Sequence, residues 1–120
     1  MTRASVIALP IVIAMLASPA LAHCFPDKTT PAEASASPTP PPQVEVHFDS
    51  PFKPAHTSVR VLDKNGDVVS GADVNSADDR TMTAPLKQIG PGQYFVKWRA
   101  TSQDGAHTMG AYSFTVTGAR

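Results

Sequence analysis

Hydrophobic and polar residues alternate with a period of two along several short stretches, which is the pattern of half-buried β-strands. In the segment 44–48, valine and phenylalanine alternate with Glu45 and His47, so the apolar side chains share one face. The segments 94–98 and 112–116 repeat this alternation with aromatic and β-branched residues. These three segments are predicted to be the central strands of the fold.

Weaker strand patterns and turn residues occupy the middle of the chain. Residues 58–63 and 80–84 are predicted strands, and residues 70–79 are predicted to be a loop. Asn65-Gly66 predicts a hairpin with a type I′ turn, which needs positive φ at two positions. Because no stretch shows sustained helical periodicity, the chain is predicted to be all-β, a small antiparallel Greek-key sandwich or barrel of immunoglobulin-like type.

The last two predicted strands are joined by a polar loop that contains the best candidates for chemistry. Gln103-Asp104-Gly105 supplies the residues of a tight turn, since glycine adopts positive φ without steric cost. The loop contains Asp104 and His107, a carboxylate and an imidazole. The hairpin is therefore expected to be a rigid arm with a polar tip.

The first 22 residues read as a secretory signal peptide. Arg3 precedes a short apolar run, and the small residues Ala20 and Ala22 mark a cleavage site after Ala22. The apolar run is too short for a convincing transmembrane span. Cleavage would make His23 the first residue of the mature, secreted protein.

Residues 23–43 are predicted to be an extended proline-rich arm, and residues 44–120 the sandwich body, together forming a single domain. Composition does not decide whether the arm is a free linker or packs along the body.

Cys24 is the only cysteine, so no intramolecular disulfide is possible. Three roles stay open for Cys24: metal ligand, intermolecular disulfide partner, or packing residue. Only Arg3 of the ten basic residues precedes residue 23, so the mature chain is nearly neutral and nothing recruits nucleic acid.

A mature N-terminal histidine offers two nitrogen donors, its α-amine and its imidazole, which can chelate one ion. His23 with Asp104 and His107 would give the nitrogen and oxygen donors that suit Cu(II), provided that the arm lies against the hairpin tip. On the residues alone, a loop with this Asp and His is more often solvated than metal-bound. His47 and His56 are expected at the surface, with His56 as a possible secondary ligand.

The chain resembles the periplasmic copper-resistance protein CopC family over most of its mature length. The resemblance is densest between Pro91 and Phe114, where proline, glycine, aromatic and tip residues follow the pattern of the family nearly position by position. It also includes the following segments: His23, Thr30 to Glu33, Val44 to Phe48, and Ser58 to Val61.

The resemblance implies Cu(II) ligation by the N-terminal histidine and by an Asp and a His of the tip. His23 and Asp104 match by position, but the family histidine lies two residues after the Asp, where this chain has Ala106. His107 follows one residue later in a loop of unchanged length. In an extended segment such a slip turns the side chain to the opposite face. His107 is nevertheless the expected third ligand.

The resemblance implies a periplasmic copper-binding protein of copper resistance or homeostasis, not an enzyme, with an inner-membrane copper transporter of the CopD type as its partner. Only Met82 and Met109 follow residue 22, so a dedicated Cu(I) site is not expected. Met109 is close to His107 in sequence and could be an axial neighbour, but it is expected to pack. Two alternatives stand beside this hypothesis. One is a copper histidine-brace oxidative enzyme, and the other is a metal-free immunoglobulin-like interaction module.

Overall fold

Eight strands and one short 3-10 turn make up the part of the chain that the structure, a computed structural model, describes. It covers residues 23–118, so the predicted signal peptide lies outside the described residues. The strands are β1 (Pro26–Thr30), β2 (Ser35–Ser37), β3 (Gln43–Phe48), β4 (Ser58–Leu62), β5 (Val74–Asn75), β6 (Thr81–Pro85), β7 (Gly92–Thr101) and β8 (His107–Val116). The 3-10 turn is Pro54–His56.

The strands form two four-stranded sheets, with strand orders β1-β3-β6-β5 and β2-β8-β7-β4. All neighbouring strands are antiparallel except β2 and β8, which run parallel. The predicted all-β sandwich is confirmed, with this one parallel pair as an addition. The predicted loop 70–79 also contains the two-residue strand β5.

The core lies between the sheets and follows the predicted alternation. Glu45 and His47 are half-exposed, whereas their strand neighbours are buried. Aromatic rings pack edge to face in this core, and the ring centroid of Phe48 lies 5.4 Å from that of Phe52 and 5.6 Å from that of Trp98. The largest part of the core comes from β3, β7 and β8, whose inward side chains are Val44, Val46, Phe48, Tyr94, Val96, Trp98, Tyr112, Phe114 and Val116.

The proline-rich arm contributes one edge strand to each sheet. β1 pairs with β3, and β2 pairs with β8 from Ser35 opposite Phe114 to Ser37 opposite Val116. Pro26 stands at the first position of β1, where a proline disturbs the ladder least. Pro31 lies between β1 and β2, and the other prolines of the arm cluster between β2 and β3, where the chain passes from one sheet to the other. The arm is therefore packed along the sandwich.

The turn after β4 differs from the predicted type I′ turn. Gly66 has a φ of +86°, but Asn65 does not share it, since Ala34 and Asp79 are the only non-glycine residues with positive φ between residues 23 and 118. The reason lies in Asp63, whose Oδ1 accepts hydrogen bonds from the N–H groups of Asn65, at 2.9 Å, and Asp67, at 3.0 Å. This carboxylate organises a wider turn that needs only one residue of positive φ.

Candidate metal centre

Cys24 anchors the N-terminal end of the described chain. The residue is fully buried, and its Sγ lies 3.3 Å from the carbonyl oxygen of Pro51 and 3.5 Å from that of Ser50. Next to it, Phe25 and Asp49 exchange two hydrogen bonds, Phe25 N to Asp49 Oδ1 at 3.0 Å and Asp49 N to Phe25 O at 2.9 Å. Of the three roles left open for Cys24, packing is the one that this position fits, because a fully buried thiol is inaccessible to another chain.

Two hydroxyl groups fix the backbone on either side of the Cys24 side chain. Thr108 of β8 donates a 2.6 Å hydrogen bond from Oγ1 to the carbonyl oxygen of Cys24. Ser50 donates from Oγ to the carbonyl oxygen of His23 at 3.3 Å. The arm therefore lies against the hairpin formed by β7 and β8, which is the condition that a site shared by His23 and the hairpin tip requires. His23 itself is exposed.

The hairpin tip is built around Ser102, which is fully buried. Its N–H donates to Ala106 O at 2.9 Å, and its carbonyl accepts from Gly105 N at 2.9 Å. Its hydroxyl donates to Asp104 Oδ1, which also accepts from Ala106 N at 3.2 Å. Both bonds end on Oδ1, so within residues 23–118 Oδ2 has no hydrogen-bond donor and is free to accept a ligand.

The same contacts keep Asp104 ionised. The Ser102 hydroxyl has the largest effect in lowering the pKa of the Asp104 carboxyl below its usual value of 3.8, and the Ala106 N–H lowers it further. Desolvation raises this pKa in part, and the positive charge that His23 can carry lowers it by a smaller amount. His23 is thus near enough to Asp104 for its charge to act on the carboxylate.

His107 lies on the other side of β8. Side chains alternate along a strand, and Thr108 is the residue that faces the arm, so its neighbour His107 faces away. His107 Nδ1 lies 2.9 Å from Thr101 Oγ1, and the imidazole lines a cavity with His56. Accordingly, between residues 23 and 118 no three His, Cys, Asp or Glu side chains are grouped to hold a metal ion. His107 as the third ligand beside His23 and Asp104 stays a prediction.

The remaining candidate residues are at the surface. His47 Nδ1 lies 2.6 Å from Asp27 Oδ1, and both side chains are partly exposed. His56 is exposed on the 3-10 turn. Met109 was expected to pack, but this is wrong, because the residue is 70% exposed. It alternates outward on β8 together with His107.

Sequence reasoning missed the residues that position the site. Ser102 could have been found, since a serine two residues before an aspartate in a turn is a common hydrogen-bonding arrangement. Nothing in the sequence pairs Thr108 with Cys24 or Ser50 with His23, because these contacts join residues far apart in the chain.

Comparison with known proteins decides the family. The profile of the CopC domain matches residues 27–117, most of the described chain. The chain belongs to the CopC family. None of the helical segments in residues 23–118 of this CopC-family chain is long and apolar enough to cross a membrane.

Relatives of the CopC-family chain agree with this assignment. CopC from Methylosinus trichosporium OB3b superposes with a TM-score of 0.74 at 30% identity, covering 79% of this chain and 94% of that one. PcoC, a methionine-rich copper resistance protein from Escherichia coli, has the same fold, with a TM-score of 0.71, 24% identity and coverage of 80% and 100%. The copper transport protein CutJ of Bacillus subtilis (strain 168) is 29% identical over 113 residues, 92% of this chain. The chain spans only 21% of the length of CutJ.

Proposed function

We propose that this CopC-family chain binds Cu(II) as cargo outside the cytoplasm and sequesters or carries it. The observation that supports this most directly is the placement of the arm that carries His23 against the hairpin whose tip carries Asp104. That placement depends on the bonds from Thr108 to Cys24 and from Ser50 to His23.

The donor set fits the chemistry of Cu(II). Cleavage after Ala22 would free the α-amine of His23, which with the imidazole closes a chelate ring. Asp104 Oδ2 adds an oxygen from the tip. Nitrogen and oxygen donors in a tetragonal arrangement are those that Cu(II) prefers, and Cu(II) heads the affinity order of divalent ions. His107 would bind this ion only if the first residues of β8 rotated so that its side chain pointed to the face of the arm.

The proposed location is the periplasm, after removal of residues 1–22 as a signal peptide. The proposed partner is an inner-membrane copper transporter of the CopD type. The match to about a fifth of CutJ supports this, since a CopC-like region there belongs to a longer protein named for copper transport. A carrier needs no general acid or nucleophile. Affinity should fall with acidity, because the amine and imidazole must lose their protons to bind.

The test is a Cu(II) titration of the mature protein followed by EPR spectroscopy. Three variants are compared with wild type: one with an extra alanine before His23, Asp104→Asn, and His47→Ala as the control. The extra alanine displaces the amine from chelation and should lower affinity by on the order of tenfold or more and change the spectrum. Asp104→Asn should also weaken binding, and His47→Ala should not. Unchanged affinity and spectrum with the extra alanine would refute the site.

A further inference from the structure

A second cluster of metal-binding side chains lies on the face of β7 and β8 that turns away from the arm. His56, His107 and Met109 line one cavity of about 450 Å³. The proposed Cu(II) site uses neither His56 nor Met109, and both are exposed. The cluster combines two imidazoles with one thioether.

Thr101 holds one imidazole of the cluster by a hydrogen bond. Its Oγ1 donates to the carbonyl oxygen of His56 at 3.2 Å, and the hydroxyl has only one proton to give. When that proton goes to His56, the 2.9 Å contact is a bond in which His107 Nδ1–H donates to Thr101 Oγ1. Nε2 of His107 then has a free lone pair. Metal-ligating histidines are commonly held in this way, with one nitrogen as a donor to the protein and the other on the ion.

The three donors are held on neighbouring elements. His107 and Met109 are two residues apart on β8, so both side chains project from the same face of the sheet. The 3-10 turn that ends at His56 is tied to β7, because Thr101 N donates to Thr57 Oγ1 at 3.2 Å in addition to the bond from Thr101 Oγ1 to His56. The side chains of His56 and Met109 remain free to move onto an ion.

The charges around the cavity favour a monovalent ion over a divalent one. No carboxylate lines it, and Arg99, which stands opposite Met109 in the β7–β8 register, is a permanent cation. Repulsion from Arg99 is twice as large for a divalent ion as for a monovalent one at the same distance. Thioether and imidazole are soft to intermediate ligands that suit Cu(I).

We infer that His56, His107 and Met109 form a binding site for Cu(I), separate from the proposed Cu(II) site and independent of a free N-terminus. The expectation against a Cu(I) site came from the small number of methionines. Two imidazoles replace the missing thioethers here. His107, which is displaced by one residue from the family position, thereby binds Cu(I) on the opposite face of β8.

The test is an anaerobic Cu(I) competition with a chromogenic Cu(I) chelator, using the mature protein and the variants His56→Ala, His107→Ala and Met109→Leu. His47→Ala is the matched surface control, and circular dichroism checks that each variant folds. Each of the three variants should lower Cu(I) affinity by about tenfold or more, whereas His47→Ala should not. In wild type, Ag(I) should shift the NMR resonances of the His56 and His107 rings.

The variant with an extra alanine before His23 separates the two sites. It should lose Cu(II) affinity but keep Cu(I) affinity. If His56→Ala and His107→Ala left Cu(I) affinity unchanged, the inference would be overturned. It would equally be overturned if His107→Ala changed only the Cu(II) spectrum, because His107 would then belong with His23 and Asp104.

Discussion

Thr108 donates a 2.6 Å hydrogen bond from its hydroxyl to the carbonyl oxygen of Cys24, across 84 positions of the chain. This bond ties the last strand to the residue that follows His23. Because Cys24 is buried and His23 is exposed, the bond determines where the imidazole of His23 can lie relative to the hairpin tip.

Thr108→Val should weaken both the fold and the proposed Cu(II) site. Valine keeps the shape of threonine but leaves the Cys24 carbonyl without its donor, so stability should fall by about 1 kcal/mol. Cu(II) affinity should also fall, because His23 is held less firmly. Thr115→Val is the control, since Thr115 alternates outward on the same strand. Urea denaturation and Cu(II) titration measure the two effects, and equal behaviour of the two variants would contradict the prediction.

Gly110→Ala should destabilise the sandwich through a clash with Trp98. A Cβ at this position would stand 2.7 Å from Trp98 Cζ2, and the indole is buried in the core and cannot move away. Overpacking of this kind costs about 1–3 kcal/mol. Gly90→Ala is the matched control, because a Cβ there meets no atom within 4 Å. Thermal unfolding monitored by tryptophan fluorescence should show a clear loss for Gly110→Ala and almost none for Gly90→Ala.

Ser102→Ala should raise the pKa of Asp104 toward its usual value of 3.8, because the Ser102 hydroxyl is the main cause of the lowered pKa. A carboxyl whose pKa is lowered by folding adds stability above the pKa of the unfolded chain. That contribution disappears as the pH falls through the folded-state pKa. The variant should lose this contribution.

NMR titration of the Asp104 carboxyl carbon below pH 5 measures the change directly. Ser113→Ala is the control, since Ser113 lies in the body of β8, away from the tip. An Asp104 pKa that stays equally low in Ser102→Ala would show that another group causes the shift.

Tyr112 should lower stability at alkaline pH. Burial raises the pKa of Tyr112 to about 12, an effect that the neighbouring Thr29 side chain reduces. The Thr29 side chain is not placed to form a hydrogen bond with Tyr112. Within the described residues, Tyr112 Oη is therefore buried without a hydrogen-bond partner. The folded state keeps the phenol proton above pH 10, where an unfolded chain loses it. Stability should therefore decline as the pH rises from 10 toward 12.

Tyr112→Phe removes this titrating group. The variant should show a smaller decline in stability above pH 10, and the ultraviolet titration of the phenols should lack the step with a pKa of about 12. At neutral pH its stability should equal or exceed that of wild type, because an unpartnered buried hydroxyl is removed. A large loss of stability at neutral pH would show that the hydroxyl does have a partner.

Period-two patterns predicted the strands that build the core. In a segment such as 44–48, the alternation of apolar and polar residues directly indicates which face of the strand is buried. The prediction of a type I′ turn after β4 was wrong, because the hydrogen bonds to the Asp63 carboxylate override the local preference of Asn65-Gly66. The two edge strands of the arm were not predictable. Their polar and small residues pair with strands far away in the chain, and only the backbone determines that pairing.

The candidate site was predictable in part. The one-residue displacement of His107 was visible in the sequence, and alternation along β8 places its side chain on the face opposite Thr108. The neighbourhood of His107 was not visible. It comes from the 3-10 turn that ends at His56, which two bonds to Thr101 hold against β7.

For the proposed export and copper loading, the parallel pairing of Ser35–Ser37 with Phe114–Val116 sets an order of events. Residues 35–37 would have no partner strand until the final segment of the chain had followed them out of a secretion channel. A half-exported polypeptide would consequently be unable to capture an ion through its leading histidine. Loading would begin only once the whole polypeptide had been released.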